Sequence, residues 1–67
     1  MLDEPDIWHA ANLLLKHHGA AAPLVAAQRA DEMLVRGDVV RQTIWKRITA
    51  AVEDLIRREP KQGERVN

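Results

Sequence analysis

Residues 36–58, Arg36-Gly37-Asp38-Val39-Val40-Arg41-Gln42-Thr43-Ile44-Trp45-Lys46-Arg47-Ile48-Thr49-Ala50-Ala51-Val52-Glu53-Asp54-Leu55-Ile56-Arg57-Arg58, decide the fold class. Ile44, Trp45, Ile48, Ala51, Val52, Leu55 and Ile56 recur at the three- and four-residue spacing of one helix face. Lys46, Thr49, Glu53 and Arg57 take the opposite face, with Arg47, Asp54 and Arg58 on the flanks. Asp38 is a capping residue type at the start of this run. Gly37, just before it, can end a preceding helix in the left-handed conformation that costs glycine little. The spacing predicts a helix over about 39–58. It carries two acid-first i, i+4 pairs, Glu53 with Arg57 and Asp54 with Arg58. Each such pair contributes ~0.2–0.5 kcal/mol.

Working back from Gly37, Ala26, Ala27, Ala30, Met33 and Leu34 share a face, opposite Gln28, Arg29, Glu32 and Arg36. A second helix is expected over about 22–36, starting at or just before Pro23, its alanines allowing close approach to its neighbours. A first helix is expected over about 4–18. Asp3 is its N-cap, Glu4, Pro5 and Asp6 fill its first turn, and Gly19 stops it. Its face is Ile7, Ala11, Leu14, Leu15 and His18, flanked by Trp8. The Gly37-Asp38 connection is short enough to fold the second and third helices into an antiparallel hairpin. Tyr and Phe are absent, and the β-branched residues fall on helical spacing, so no strand is expected. The expected architecture is all-α: a small three-helix bundle over residues 1–59, with 60–67 a disordered C-terminal tail after the helix-stopping Pro60.

Composition narrows the function classes. At 67 residues the chain is one small domain. A domain of this size buries only about 60% of its unfolded surface, so such domains often lean on staples or partners. There is no Cys, so no disulfide can form. The ten basic and ten acidic residues cancel, whereas a nucleic-acid binder usually shows a basic excess. The halves differ: residues 1–34 hold two basic and five acidic groups, net −3, and residues 35–67 hold eight and five, net +3. Met1 to Asp6 is acidic, unlike the basic start of a signal peptide, and no apolar run approaches the ~20 residues of a membrane span. A cytoplasmic protein without membrane association is expected.

Ile7-Trp8-His9-Ala10-Ala11-Asn12-Leu13-Leu14-Leu15-Lys16-His17-His18-Gly19 resembles the opening of a family of short uncharacterised alphaproteobacterial proteins. There a Trp-x-x-Ala-x-x-Leu helix ends in His-Gly. An alanine-rich helix follows and ends in Gly-Asp, and a third helix carries Trp and Ile, matched here by Trp45 and Ile48. The resemblance runs from about Ile7 to Leu55. The family is a domain of unknown function, so it implies a fold and a source but no activity and no site residues.

Little in the sequence supports chemistry. Cys, Ser and Tyr are absent, and Thr43 and Thr49 have no His near them in sequence to activate a hydroxyl. The glycines are isolated, so no phosphate-cradling loop exists. A domain this small is expected to leave little room for a ligand cleft of ~300 Å³. His9, His17 and His18 lack the i, i+4 spacing that puts two imidazoles on one face. The reading is therefore non-enzymatic, with no catalytic residue, cofactor or metal. His17 is expected in solvent and His18 packed at the end of its stripe. Trp8 and Trp45 are expected to dominate the core.

Two binding readings remain. The second and third helices could act as a helix-turn-helix with Arg41, Lys46, Arg47 and Arg58 on phosphate. A two-residue turn, zero net charge and the acids Glu53 and Asp54 oppose this nucleic-acid-binding alternative. The leading reading is a protein-binding or self-associating helical module, docking on a protein partner or forming a homodimer. It rests on apolar surplus: Leu13 lies off its helix's stripe, and Leu24 and Val35 lie at the edge of the second helix. A contiguous set of such residues marks an interface, so Leu13 with Leu24 or Val35 are the candidate interface residues.

Overall fold

The first helix, α1, runs Glu4–His18, with the acids Glu4 and Asp6 in its first turn and Lys16, His17 and His18 in its last. Both groups of charges complement the helix dipole. Residues 4–58 are described by the computed structural model. Of these, 96% are helical, and no strand occurs among them. The Asp3 cap, the Pro60 stop and the tail over 60–67 lie outside the described residues.

Helical backbone continues through a 3₁₀ turn, Gly19–Ala21, into α2, Ala22–Arg36. Gly19 takes φ 55, in the left-handed region where a side chain is costly. It interrupts the regular α-helix without a coil segment, and the Ala22 N–H donates to the Gly19 carbonyl. The described chain therefore falls into two helical stretches, 4–36 and 39–58, rather than three separated ones. The second stretch is α3, Val39–Arg58.

Gly37 and Asp38 make the one break between helices among the described residues. Gly37 is left-handed, with φ 80. Its N–H donates to the Leu34 carbonyl at 3.0 Å, and the Asp38 N–H donates to the Met33 carbonyl at 2.8 Å. These paired bonds satisfy two of the carbonyls that a helix end leaves open. Asp38 then caps α3: its Oδ1 accepts the Arg41 N–H at 3.0 Å. One dipeptide thus closes one helix and opens the next.

The core joins all three helices. Ile7 and Ala11 of α1, Ala22 and Ala26 of α2, and Ile48, Ala51 and Val52 of α3 form one buried cluster. Trp8, Ala10, Leu14, Leu15, Ile44, Trp45 and Leu55 pack partly buried against it. Ala30 and Met33 complete the buried set. Alanine at five of these nine positions lets the backbones approach closely.

Several sequence expectations are corrected here. Trp8 and Trp45 flank the core half-buried, because three short helices cannot surround an indole on every side. Val52 is the largest side chain that is fully buried. His18 is exposed, since Gly19 redirects the backbone one residue later. Leu34 is 54% and Ile56 40% exposed. Each sits about 100° round its helix from a neighbour, Met33 or Leu55, that takes the inward position. Glu53 does not pair with Arg57. Asp54 holds both arginines, Arg57 at 3.4 Å and Arg58 at 2.9 Å. Such exposed pairs contribute about 0–1 kcal/mol.

The Gly37 cap yields a stability prediction. A Cβ built there meets no atom within 4 Å, so the cost of a side chain is conformational alone. A left-handed alanine costs about 1–2 kcal/mol, partly offset by the smaller entropy of the unfolded chain. Gly37→Ala should lower stability by about 1 kcal/mol, and Gly37→Asn by less, because Asn tolerates this region. Urea unfolding followed by circular dichroism measures both. Equal midpoints for all three proteins would contradict the assigned backbone conformation.

Candidate functional site

Exposed aliphatic side chains are the feature that sets this surface apart. Leu13, Leu24, Leu34, Val35, Val39, Val40 and Ile56 are all large, apolar and exposed. The three residues expected at an interface are among them: Leu13 is 43%, Leu24 61% and Val35 87% exposed. They do not form one patch. Leu24 and Val35 are eleven residues apart on α2, roughly 16 Å along the axis at 1.5 Å per residue. Gln28 and Asp31, both exposed, lie on the same side between them. Leu24 lies in the first turn of α2, just after the Gly19–Ala21 turn. Val35 belongs instead to the opposite end of α2.

At that opposite end Val35 has company that the periodicity did not reveal. Leu34 and Val35 close α2, Val39 and Val40 open α3, and only Arg36, Gly37 and Asp38 lie between. Val39 and Val40 are 61% and 63% exposed. The sequence signal was available. Two apolar pairs flank the segment Arg36-Gly37-Asp38. The cap hydrogen bonds hold this tip in one conformation. Arg41 is paired with Asp38 at 3.7 Å, so the turn's one carboxylate is already neutralised.

Two troughs flank α3. The first, about 380 Å³, is lined by Glu4, Ile7 and Trp8 of α1 and by Arg47, Ala50, Ala51, Asp54 and Arg57 of α3. The Arg58 guanidinium lies 5.5 Å from the centre of the Trp8 ring, a cation–π distance. The second, about 370 Å³, lies between α2 and α3 over Ala27, Ala30 and Ala50, with Asp31, Lys46 and Glu53 on its walls. The expectation of little room is corrected in volume: both reach the lower end of the range for ligand clefts, although both are open to solvent.

The residues weighed for chemistry are scattered. His9, His17 and His18 are all exposed on α1, and no three His, Asp or Glu side chains among the described residues form a metal-holding group. The Thr43 hydroxyl donates to the Val39 carbonyl at 3.0 Å, and Thr49 donates to Trp45 at 2.8 Å. Both hydroxyls are thus committed to the helix backbone four residues earlier, a common local bond for this residue type. Of the four cations considered for phosphate, Arg41 and Arg58 are paired with Asp38 and Asp54. No helix among the described residues is long and apolar enough to cross a membrane.

No family model matches the chain, and no curated protein or solved structure is similar to it at a significant level. These comparisons lend no support to the resemblance to a family of short alphaproteobacterial proteins.

These charges generate a prediction about nucleic acid. With half of the candidate phosphate contacts already ion-paired and Glu53 and Asp54 on the same helix, duplex DNA should bind no tighter than non-specifically. That corresponds to a Kd of about 10⁻⁶ M or weaker at physiological salt. Fluorescence anisotropy with labelled duplex measures this. Submicromolar affinity that falls steeply with added salt would establish the helix-turn-helix alternative instead.

Proposed function

We propose that this chain is a non-enzymatic helical module that works by binding protein, including a second copy of itself. The observation that supports it is a set of large aliphatic side chains left outside a partly alanine core. The buried set is mostly alanine, while four valines and leucines stand exposed at one end of the α2–α3 pair. A chain selected only to stand alone would gain by burying its bulkier side chains, at roughly 25 cal/mol per Å². Holding them outside is favourable where another surface covers them.

The finer architecture belongs to the same proposal. The Gly37-Asp38 connection turns α3 back along α2 as an antiparallel hairpin, and α1 packs beside α3 to complete a three-helix bundle. α1, α2 and α3 all contribute to one buried cluster, which supports this arrangement. The reading places the protein in the cytoplasm, where a chain without cysteine loses nothing.

Sedimentation equilibrium on the full chain from micromolar to millimolar concentration tests the function. Wild type should associate reversibly. The double variant Leu13→Glu/Val35→Glu should associate less while keeping its helical circular dichroism, because an exposed position accepts a charge and an interface does not. A wild type that stays monomeric throughout would remove self-association from the reading. Unfolding of the variant would show that at least one of the two side chains supports the fold, and the single variants would assign it.

A further inference from the structure

We infer that Gly19 is a hinge through which two copies of this chain exchange α1. With Gly19 turned to right-handed helical backbone, residues 4–36 form one helix, and the α1 of each copy packs on the α3 of the other. The exchange goes beyond the surface docking proposed above, because it needs none of the exposed aliphatic residues.

The two connections of the chain are built differently. The α2–α3 turn is closed by two backbone bonds to the end of α2 and by the Asp38 carboxylate at the start of α3. Between α1 and α2, neither the 3₁₀ turn nor α2 has a side-chain cap. His18, Ala21 and Ala22 already hold right-handed helical backbone, and Ala20 lies inside the 3₁₀ turn. Gly19, at φ 55, is the one left-handed residue of this link. Turning that residue merges α1 with α2. Pro23 has no N–H to offer the Gly19 carbonyl, but that carbonyl already accepts the Ala22 N–H instead. Pro23 therefore kinks a continuous helix rather than breaking it.

A merged helix cannot keep the core of a single chain. Ile7 and Ala22 share one buried cluster, yet fifteen residues of continuous helix set them roughly 22 Å apart. α1 packs chiefly on α3, and the most extensive contact is between α2 and α3. Straightening thus lifts α1 from α3 and leaves the α2–α3 pair together. It uncovers Ile7 and Ala11 on α1, and Ile48, Ala51 and Val52 on α3. A second copy offers the same two faces, so exchange rebuilds between chains the contact that one chain makes within itself. Glycine at position 19 keeps the bent form accessible, so the single chain dominates in dilute solution.

The test compares wild type, Gly19→Ala and Gly37→Ala, each unfolded and refolded at millimolar concentration and followed by sedimentation. A Cβ at position 19 meets no atom within 4 Å, so its effect is on the backbone alone. Alanine disfavours φ 55 and favours a helix, and a dimer holds two such hinges. Gly19→Ala should therefore keep its helical circular dichroism and dimerise with an association constant at least tenfold above wild type. Gly37→Ala should dimerise no more than wild type. In a mixture of labelled and unlabelled Gly19→Ala, interchain NOEs should join the Ile7, Leu14 and Leu15 methyls to those of Ile48, Val52 and Leu55. A monomeric Gly19→Ala would overturn the exchange. Interchain NOEs confined to Leu13, Leu24 or Val35 would overturn it and leave surface docking standing. Equal dimerisation of Gly37→Ala would show a general loss of stability rather than a hinge. If Gly19→Ala loses its helices, refolded wild type is read for the same NOEs, and their absence there overturns the exchange.

Discussion

The Gly37-Asp38 cap is the constraint on which the rest of this structure depends. Gly37 alone can take φ 80 cheaply, and that conformation carries the N–H groups of residues 37 and 38 back to the last carbonyls of α2. Asp38 is then already in place to cap α3 through the Arg41 N–H. Because the connection is so short, α2 and α3 must lie against each other. Ala26, Ala30, Ile48 and Val52 are thereby brought inward together. Leu34, Val35, Val39 and Val40, on either side of that turn, are more than half exposed.

Alanine makes this packing possible and limits what it can bury. A helix face of Ala22, Ala26 and Ala30 allows close approach of backbones, and close approach leaves no gap for larger groups. The two indoles are therefore held at the edge. Trp8 is covered on one face by Arg58, which also pairs with Asp54. This edge cluster joins α1 to the end of α3 through an aromatic ring and charges rather than through deep burial.

Much of the fold was legible in the sequence, because helix punctuation is local. Gly37, Asp38 and the period of Ile44, Ile48, Ala51, Val52 and Leu55 each act within a turn or two of chain, and the helix ends follow from them. What could not be read was the depth of each position. Leu34 and Met33 have similar hydropathy and adjacent places on the wheel, yet one is exposed and the other buried, because the packing direction is fixed by α3. The same holds for Asp54. Its choice of both Arg57 and Arg58 over a separate Glu53–Arg57 pair depends on side-chain geometry rather than spacing. The exposed aliphatic residues were half legible. Leu13, Leu24 and Val35 are exposed as their wheel positions require, but grouping them needed the length of α2, and Val39 and Val40 were hidden within an apparently regular helix start.

The central claim is that Leu34, Val35, Val39 and Val40 face outward at the α2–α3 turn while Ile48 and Val52 lie in the core. Methyl NMR of dilute protein with a soluble paramagnetic probe tests it residue by residue. The account predicts strong broadening of the Leu34, Val35, Val39 and Val40 methyls, with Ile48 and Val52 protected. Protected methyls at Val39 and Val40, or broadening of Val52 comparable to theirs, would contradict it.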